Sequence, residues 1–134
     1  MDYFHVNLLA VLVSAICQWL LGALWYNVVY AKRWRALVGY AEGEKPKLFV
    51  LGMIASFIGD IVLSFVLVHL DQWTFQTSFA GGISVGVLFW VGLMAPPLLT
   101  QHIFENRPFK LFAINAGYWL LAMGLGGGIL AAWH

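Results

Sequence analysis

Four uninterrupted apolar stretches dominate the chain, from Val6 to Val29, Leu48 to Leu70, Ser78 to Gln101 and Leu111 to Trp133. Each supplies the roughly 20 residues that a helix needs to cross about 30 Å of hydrocarbon. Backbone N–H and C=O groups cannot be left bare in lipid, so such stretches are either helices or strands of a closed barrel. Barrel strands read as short alternations of about ten residues, which these continuous runs are not. The first stretch has no basic region before it and ends in Trp25-Tyr26 rather than at small residues. It is therefore expected to stay in the mature chain as a span, not to be removed as a signal peptide.

Composition sharpens the reading. Of 134 residues, 62% are apolar and 10% charged, whereas soluble domains carry about a quarter charged residues, which excludes a water-soluble globule. A net charge of +1 offers no basic face for nucleic acid. The single cysteine, Cys17, has no partner for an internal disulfide.

All seven basic residues fall on one side of the four spans: Lys32, Arg33, Arg35, Lys45 and Lys47 after the first, Arg107 and Lys110 after the third. By the positive-inside rule both basic loops are cytoplasmic and both termini lie outside. Short connectors make sequential helices antiparallel neighbours, so the expected fold is all-α: a single integral membrane domain, residues 1–134, forming an up-and-down four-helix transmembrane bundle. Small residues four apart (Ala55 and Gly59, Gly82 and Gly86, Ala113 and Gly117, Gly124 and Gly128) allow close helix approach. The run Gly126-Gly127-Gly128 is expected to meet another helix, within the chain or across a homo-oligomer, because glycine facing lipid only weakens a helix. The halves also echo one another. Gly22-Ala23-Leu24-Trp25-Tyr26 answers Gly86-Val87-Leu88-Phe89-Trp90, and Lys47-Leu48-Phe49 answers Lys110-Leu111-Phe112, the pattern of a parallel repeat.

Several stretches are more particular. Gly22-x-Leu24-Trp25-Tyr26 leading to Trp34, then Pro96, Phe104-Glu105-x-Arg107-Pro108 and Leu111-Phe112-x-Ile114-Asn115-x-Gly117-Tyr118 run through nearly the whole chain. Together they resemble a family of small four-span bacterial membrane proteins known as domain of unknown function seventeen-sixty-one. The segment Asn27 to Lys32 departs from the Ser-Pro and Phe-Gly-Lys pattern associated with that family. The resemblance implies the bundle and a bacterial cytoplasmic (inner) membrane, and brings no substrate, reaction or cofactor with it.

Asp60 is the one ionisable residue near mid-membrane. A carboxylate there costs about 2.5–3.5 kcal/mol on insertion scales, and such residues face the bundle interior, a wet cavity or a proton path. Gly52, Ser56, Asp60 and Ser64 recur every fourth position and share a helix face. Ser14 and Gln18 on the first helix reach a similar depth, so Asp60 is expected to bond across to Gln18. Two roles stay open: a neutral Asp60 donating a packing bond to Gln18 or Ser14, or a proton carrier or cation counter-ion in a transport path. Catalysis lacks a second carboxylate, a histidine or an activated nucleophile at that depth.

Other polar residues group at the ends. Pro96-Pro97 should kink or unwind the third helix. Together with Glu105, Arg107, Asn115 and Tyr118, Pro96 outlines either a cytoplasmic-side polar pocket or a hydrogen-bonded plug. His5, His69 and His134 lie toward the outer face, but without paired metal-ligand spacing, so His5 and His69 are only weak metal candidates and no cofactor is expected. Lys32, Arg33, Trp34 and Arg35 read as an interfacial anchor that favours anionic lipid heads. The expected activity is non-enzymatic transport or permeation of a small solute, ion or proton centred on Asp60. The alternatives are an accessory membrane subunit and, third, an outer-face metal-binding protein.

Overall fold

The structure, a computed structural model, describes residues 6–41 and 47–133. His5, Lys45 and His134 lie outside the described residues, and with them half of the weak metal pair. Among those described there are helices and turns but no strands. Helix α1 (Leu8–Leu24) begins at Asn7, whose side-chain oxygen accepts the Ala10 N–H at 3.1 Å. It passes without a break into a π-helical turn, Trp25–Val29, and then into a short helix α2 (Ala31–Val38). Gly39 closes α2 at φ 104°, a left-handed conformation that suits a residue without Cβ. Helix α3 (Phe49–Trp73) is the second span.

The third span starts as α4 (Phe79–Phe89), where the Ser78 hydroxyl accepts the Gly81 N–H at 3.0 Å. It widens into a second π-turn, Trp90–Met94, and continues as α5 (Ala95–Phe104). Of the kink or unwinding expected at Pro96-Pro97, the helix is distorted but not unwound. The π-turn just before Pro96 takes up the mismatch, and Pro96 occupies the first turn of α5, where its missing N–H is least costly. Asn106, at φ 57°, turns the chain into α6 (Phe109–Ala132). Four segments, Leu8–Val29, Phe49–Trp73, Phe79–Phe104 and Phe109–Ala132, are long and apolar enough to cross a membrane. Their outer faces expose leucine, isoleucine, valine and phenylalanine, the covering that lipid requires.

The bundle is not a square. Helix α6 is its centre and packs on α1, α3 and α4, while α3 and α4, although sequential, barely touch. Spans one, two and four form a triangle, and α4 lies on the far side of α6. Glycine explains the asymmetry. A Cβ at Gly82 would fall on the carbonyl oxygen of Gly127, and one at Gly86 on that of Met123, so α4 and α6 approach backbone to backbone. Gly128 makes room for Phe79 and Ile83 of α4, whereas Gly126 faces the triangle, against Gln18, Leu67 and Ser14. The triple glycine thus serves two interfaces inside one chain. Gly117 receives the Trp25 ring, while Gly59 faces open space and Ala55 is exposed, so this last pair joins no helices within the chain.

Candidate functional site

Asp60 sits near the midpoint of the 25-residue α3 and is 2% exposed. Its Oδ2 is fully buried with no hydrogen-bond partner. The expected bond to Gln18 is not made. The Gln18 amide instead donates to Ser64 Oγ at 2.9 Å and to Ser14 Oγ at 3.0 Å, and the two serine hydroxyls are 3.0 Å apart. Helix α1 therefore sits one turn further along α3 than equal depth suggests, and its polar residues meet Ser64 rather than Asp60. These three side chains form a hydrogen-bonded knot between α1 and α3 in which Gln18 Oε1 stays buried and unpartnered, and Gly126 leaves the space for it on α6.

Asp60 lines a cavity of about 280 Å³ between α1, α3 and α6, running toward the end of the bundle that carries the basic residues. Its walls are aromatic: Trp19 and Tyr26 from the first span, Trp34 from α2, Phe49 from α3, and Tyr118 and Trp119 from α6. Four of these rings are in series. Trp34 meets Tyr26 at 5.6 Å between centroids, Tyr26 meets Tyr118 at 5.5 Å, and Tyr118 meets Trp119 at 4.9 Å. The Tyr118 hydroxyl donates to the Gln18 carbonyl at 3.2 Å, which fixes the ring beside the polar knot. Trp19 donates its indole N–H to the Met53 carbonyl at 3.0 Å. Ser56 also lines the cavity, although its hydroxyl is turned to the Met53 carbonyl of its own helix. Arg35 contributes the charged group at the basic end.

Beyond the polar knot, away from the cavity, Leu67 and Val68 of α3 close on Ala10 and Val11 of α1 and on Leu130 of α6. This layer is apolar and almost fully buried. On its far side lies Asp71, 2% exposed, with both carboxylate oxygens buried and unpartnered. Asp71 stands three turns beyond Asp60 on the same face of α3. In the sequence, its helical register with Asp60 and Ser64 is the one signal that it turns inward.

The five residues proposed as a second polar pocket do not converge. Pro96 is exposed, and Arg107 and Glu105 form a solvent-exposed ion pair at 2.8 Å in the turn before α6. Asn115 accepts a hydrogen bond from the Tyr26 hydroxyl at 2.8 Å and lies 3.4 Å from Nε2 of the buried His102. Tyr118, three residues on, points away into the Asp60 cavity. Tyr26 and His102 were not anticipated as partners, although both lie at the same basic end as Asn115 and carry complementary hydrogen-bonding groups. His69 leans on the Phe65 carbonyl of its own helix at 2.7 Å. Among the described residues no three His, Cys, Asp or Glu side chains gather as metal ligands.

A second, more open hollow of about 550 Å³ lies between α2 and α6, lined by Tyr30, Arg33, Leu37, Lys110 and Ile114 among others. It presents two cations above an apolar floor.

Fold and composition together define a small multi-pass membrane protein with four helical spans and one buried acid at its centre. The sequence model of a family described as protein of unknown function (DUF1761) matches residues 9–131, and the chain belongs to that family. No curated protein and no solved structure matches it.

Proposed function

We propose that this protein is a non-enzymatic carrier or pore of a bacterial cytoplasmic membrane that passes a small solute, ion or proton by way of Asp60, with both termini outside. The observation that carries this reading is an unpartnered mid-span carboxylate at the wall of a cavity. A packing residue would be expected to satisfy its hydrogen bonds, because an orphaned polar group in a bilayer is costly. Ser14, Ser64 and the Gln18 amide nitrogen do so, whereas Gln18 Oε1 and Asp60 Oδ2 are left over, and of these only Asp60 can carry a charge at the cavity wall. A cavity on one side of Asp60 and the Leu67 layer on the other also support the reading, since a carrier must be closed on one side when open on the other. The π-turn at Trp90–Met94 gives the third span a place to flex ahead of Pro96. The protein is proposed to work as a homo-oligomer, with Ala55 and Gly59 on a face free to meet a second copy. Membrane lipids fill the hollow beside Arg33 and Lys110.

Proteoliposomes carrying an internal pH dye test this. The wild type is expected to dissipate an imposed proton gradient, and Asp60→Asn, eluting as a folded species of unchanged size, is expected to lose that flux. Equal flux in both removes Asp60 from the route. The accessory-subunit reading is favoured by the hydrogen-bonded knot of Gln18, Ser14 and Ser64, which ties two helices without needing transport. It predicts no flux in either protein and a stable partner on purification.

A further inference from the structure

We infer that the Asp60 cavity is a binding site for a small organic cation, an amine or quaternary ammonium carried on an apolar or aromatic body, which exchanges there with a proton. The inference rests on the transport reading above and names the class of solute. Three features of the cavity converge on it. Its buried charge-bearing group is a carboxylate with an unpartnered oxygen, so the ligand group that completes it must be a donor or a positive charge. Its walls are aromatic, with the ring series Trp34, Tyr26, Tyr118 and Trp119 running along it. Aromatic faces hold organic cations well where water is excluded, whereas small hydrated metal ions need several oxygen ligands. Its volume, about 280 Å³, lies just below the usual range for ligand pockets, which suits a compact amine.

The exchange follows from charge balance. Asp60 has no Lys or Arg beside it in the membrane interior; the charged and titratable groups that share its cavity are Tyr26 from the first span, Arg35 from α2 and Tyr118 from α6. Arg35 stands at the basic end, and the two phenols bring no positive charge. A proton and an organic cation are therefore alternative ways to neutralise one carboxylate. When the cation docks, the carboxyl O–H bond breaks and its proton leaves to water through the cavity. When the cation departs, a proton returns.

Titration calorimetry on the full chain in nanodiscs, with three probes that share a phenyl ring, tests the claim: benzyltrimethylammonium, benzyl alcohol and phenylacetate. The cation is expected to bind at least about tenfold more tightly than the neutral probe, to release one proton as measured in buffers of different ionisation heat, and to weaken as pH falls. Asp60→Asn is expected to lose that preference, and Arg35→Ala to tighten the cation. Should Asp60→Asn fail to fold, the probe order and proton release of the wild type decide alone. Equal binding of cation and alcohol, preference for phenylacetate, or cation binding without proton release overturns the inference. Proton flux that depends on Asp60 while no cation binds overturns this inference and leaves the transport reading standing; absence of both overturns both.

Discussion

Trp25 and Trp90 each open a π-turn, and each donates its indole N–H to a carbonyl of α6, Ile114 and Ala116 respectively, at 2.9 Å. The two carbonyls are two residues apart, so spans one and three are pinned at similar depth to opposite sides of the central helix. A helix carbonyl has a second lone pair free for such a bond. The pairing is one position out of step with the echo between the two halves, which aligns Trp25 with Phe89.

Trp25→Phe and Trp90→Phe are each expected to lower stability by about 0.6–1.7 kcal/mol, the range for hydrogen bonds between membrane helices. Denaturation in mixed micelles measures this, and the double variant should lose close to the sum, since the two rings belong to different spans and bond different carbonyls of α6. Unchanged stability in both single variants would show that the indole bonds contribute nothing.

Glycine substitutions should separate sharply by site. Gly82→Ala puts a methyl group onto the Gly127 carbonyl and must push α4 from α6, at about 1–3 kcal/mol. Gly52→Ala and Gly59→Ala meet open space and should be neutral, or stabilising by up to about 1 kcal/mol through helix propensity. Loss at Gly59 comparable to that at Gly82 would mean that Gly59 is covered by another copy.

Ser64→Ala removes the acceptor of one Gln18 bond and the partner of Ser14. The same denaturation assay should show a loss of about 1 kcal/mol. Gly126→Ala, which crowds the Gln18 amide, should weaken the same helix contact. A neutral Gly126→Ala would mean that the knot relaxes freely.

Arg33 and Lys110 line the hollow between α2 and α6. Each basic residue near a membrane surface contributes about 1 kcal/mol toward anionic lipid. Replacing both by alanine should cut retained anionic lipid on the order of tenfold in native mass spectrometry. Unaltered lipid retention would remove this hollow as a headgroup site.

Much of the fold was legible because membrane crossing is a length criterion, and four apolar runs of sufficient length leave helices as the answer. Asp60 was legible because a carboxylate within such a run is conspicuous. Its surroundings were not. Depth estimates aligned Gln18 with Asp60, but the sliding of one helix along another is set by side-chain fit, and Ser64 won the contact. The two π-turns have no hydrophobic period to announce them, although Pro96 did point to a disturbance in the turn before it, where the second one lies. Asn115 and Tyr118 meet the same Tyr26, yet three residues of helix rotation is enough to give them different hydrogen-bond partners, Tyr26 and His102 for one and the Gln18 carbonyl for the other. Trp34 was assigned to an interface by depth; that it turns with Tyr26 into the Asp60 cavity depends on α2 folding back beneath the first span.

The most direct test of the account is infrared difference spectroscopy of the reconstituted protein, following the carboxyl absorption of Asp60 through a pH titration, with Asp60→Asn as the blank. Transport through Asp60 predicts a protonated-carboxyl band that disappears reversibly as pH rises and shifts in heavy water, because the cavity lets solvent exchange its proton. A band that neither titrates nor shifts in heavy water would make Asp60 a sealed structural group and contradict the account.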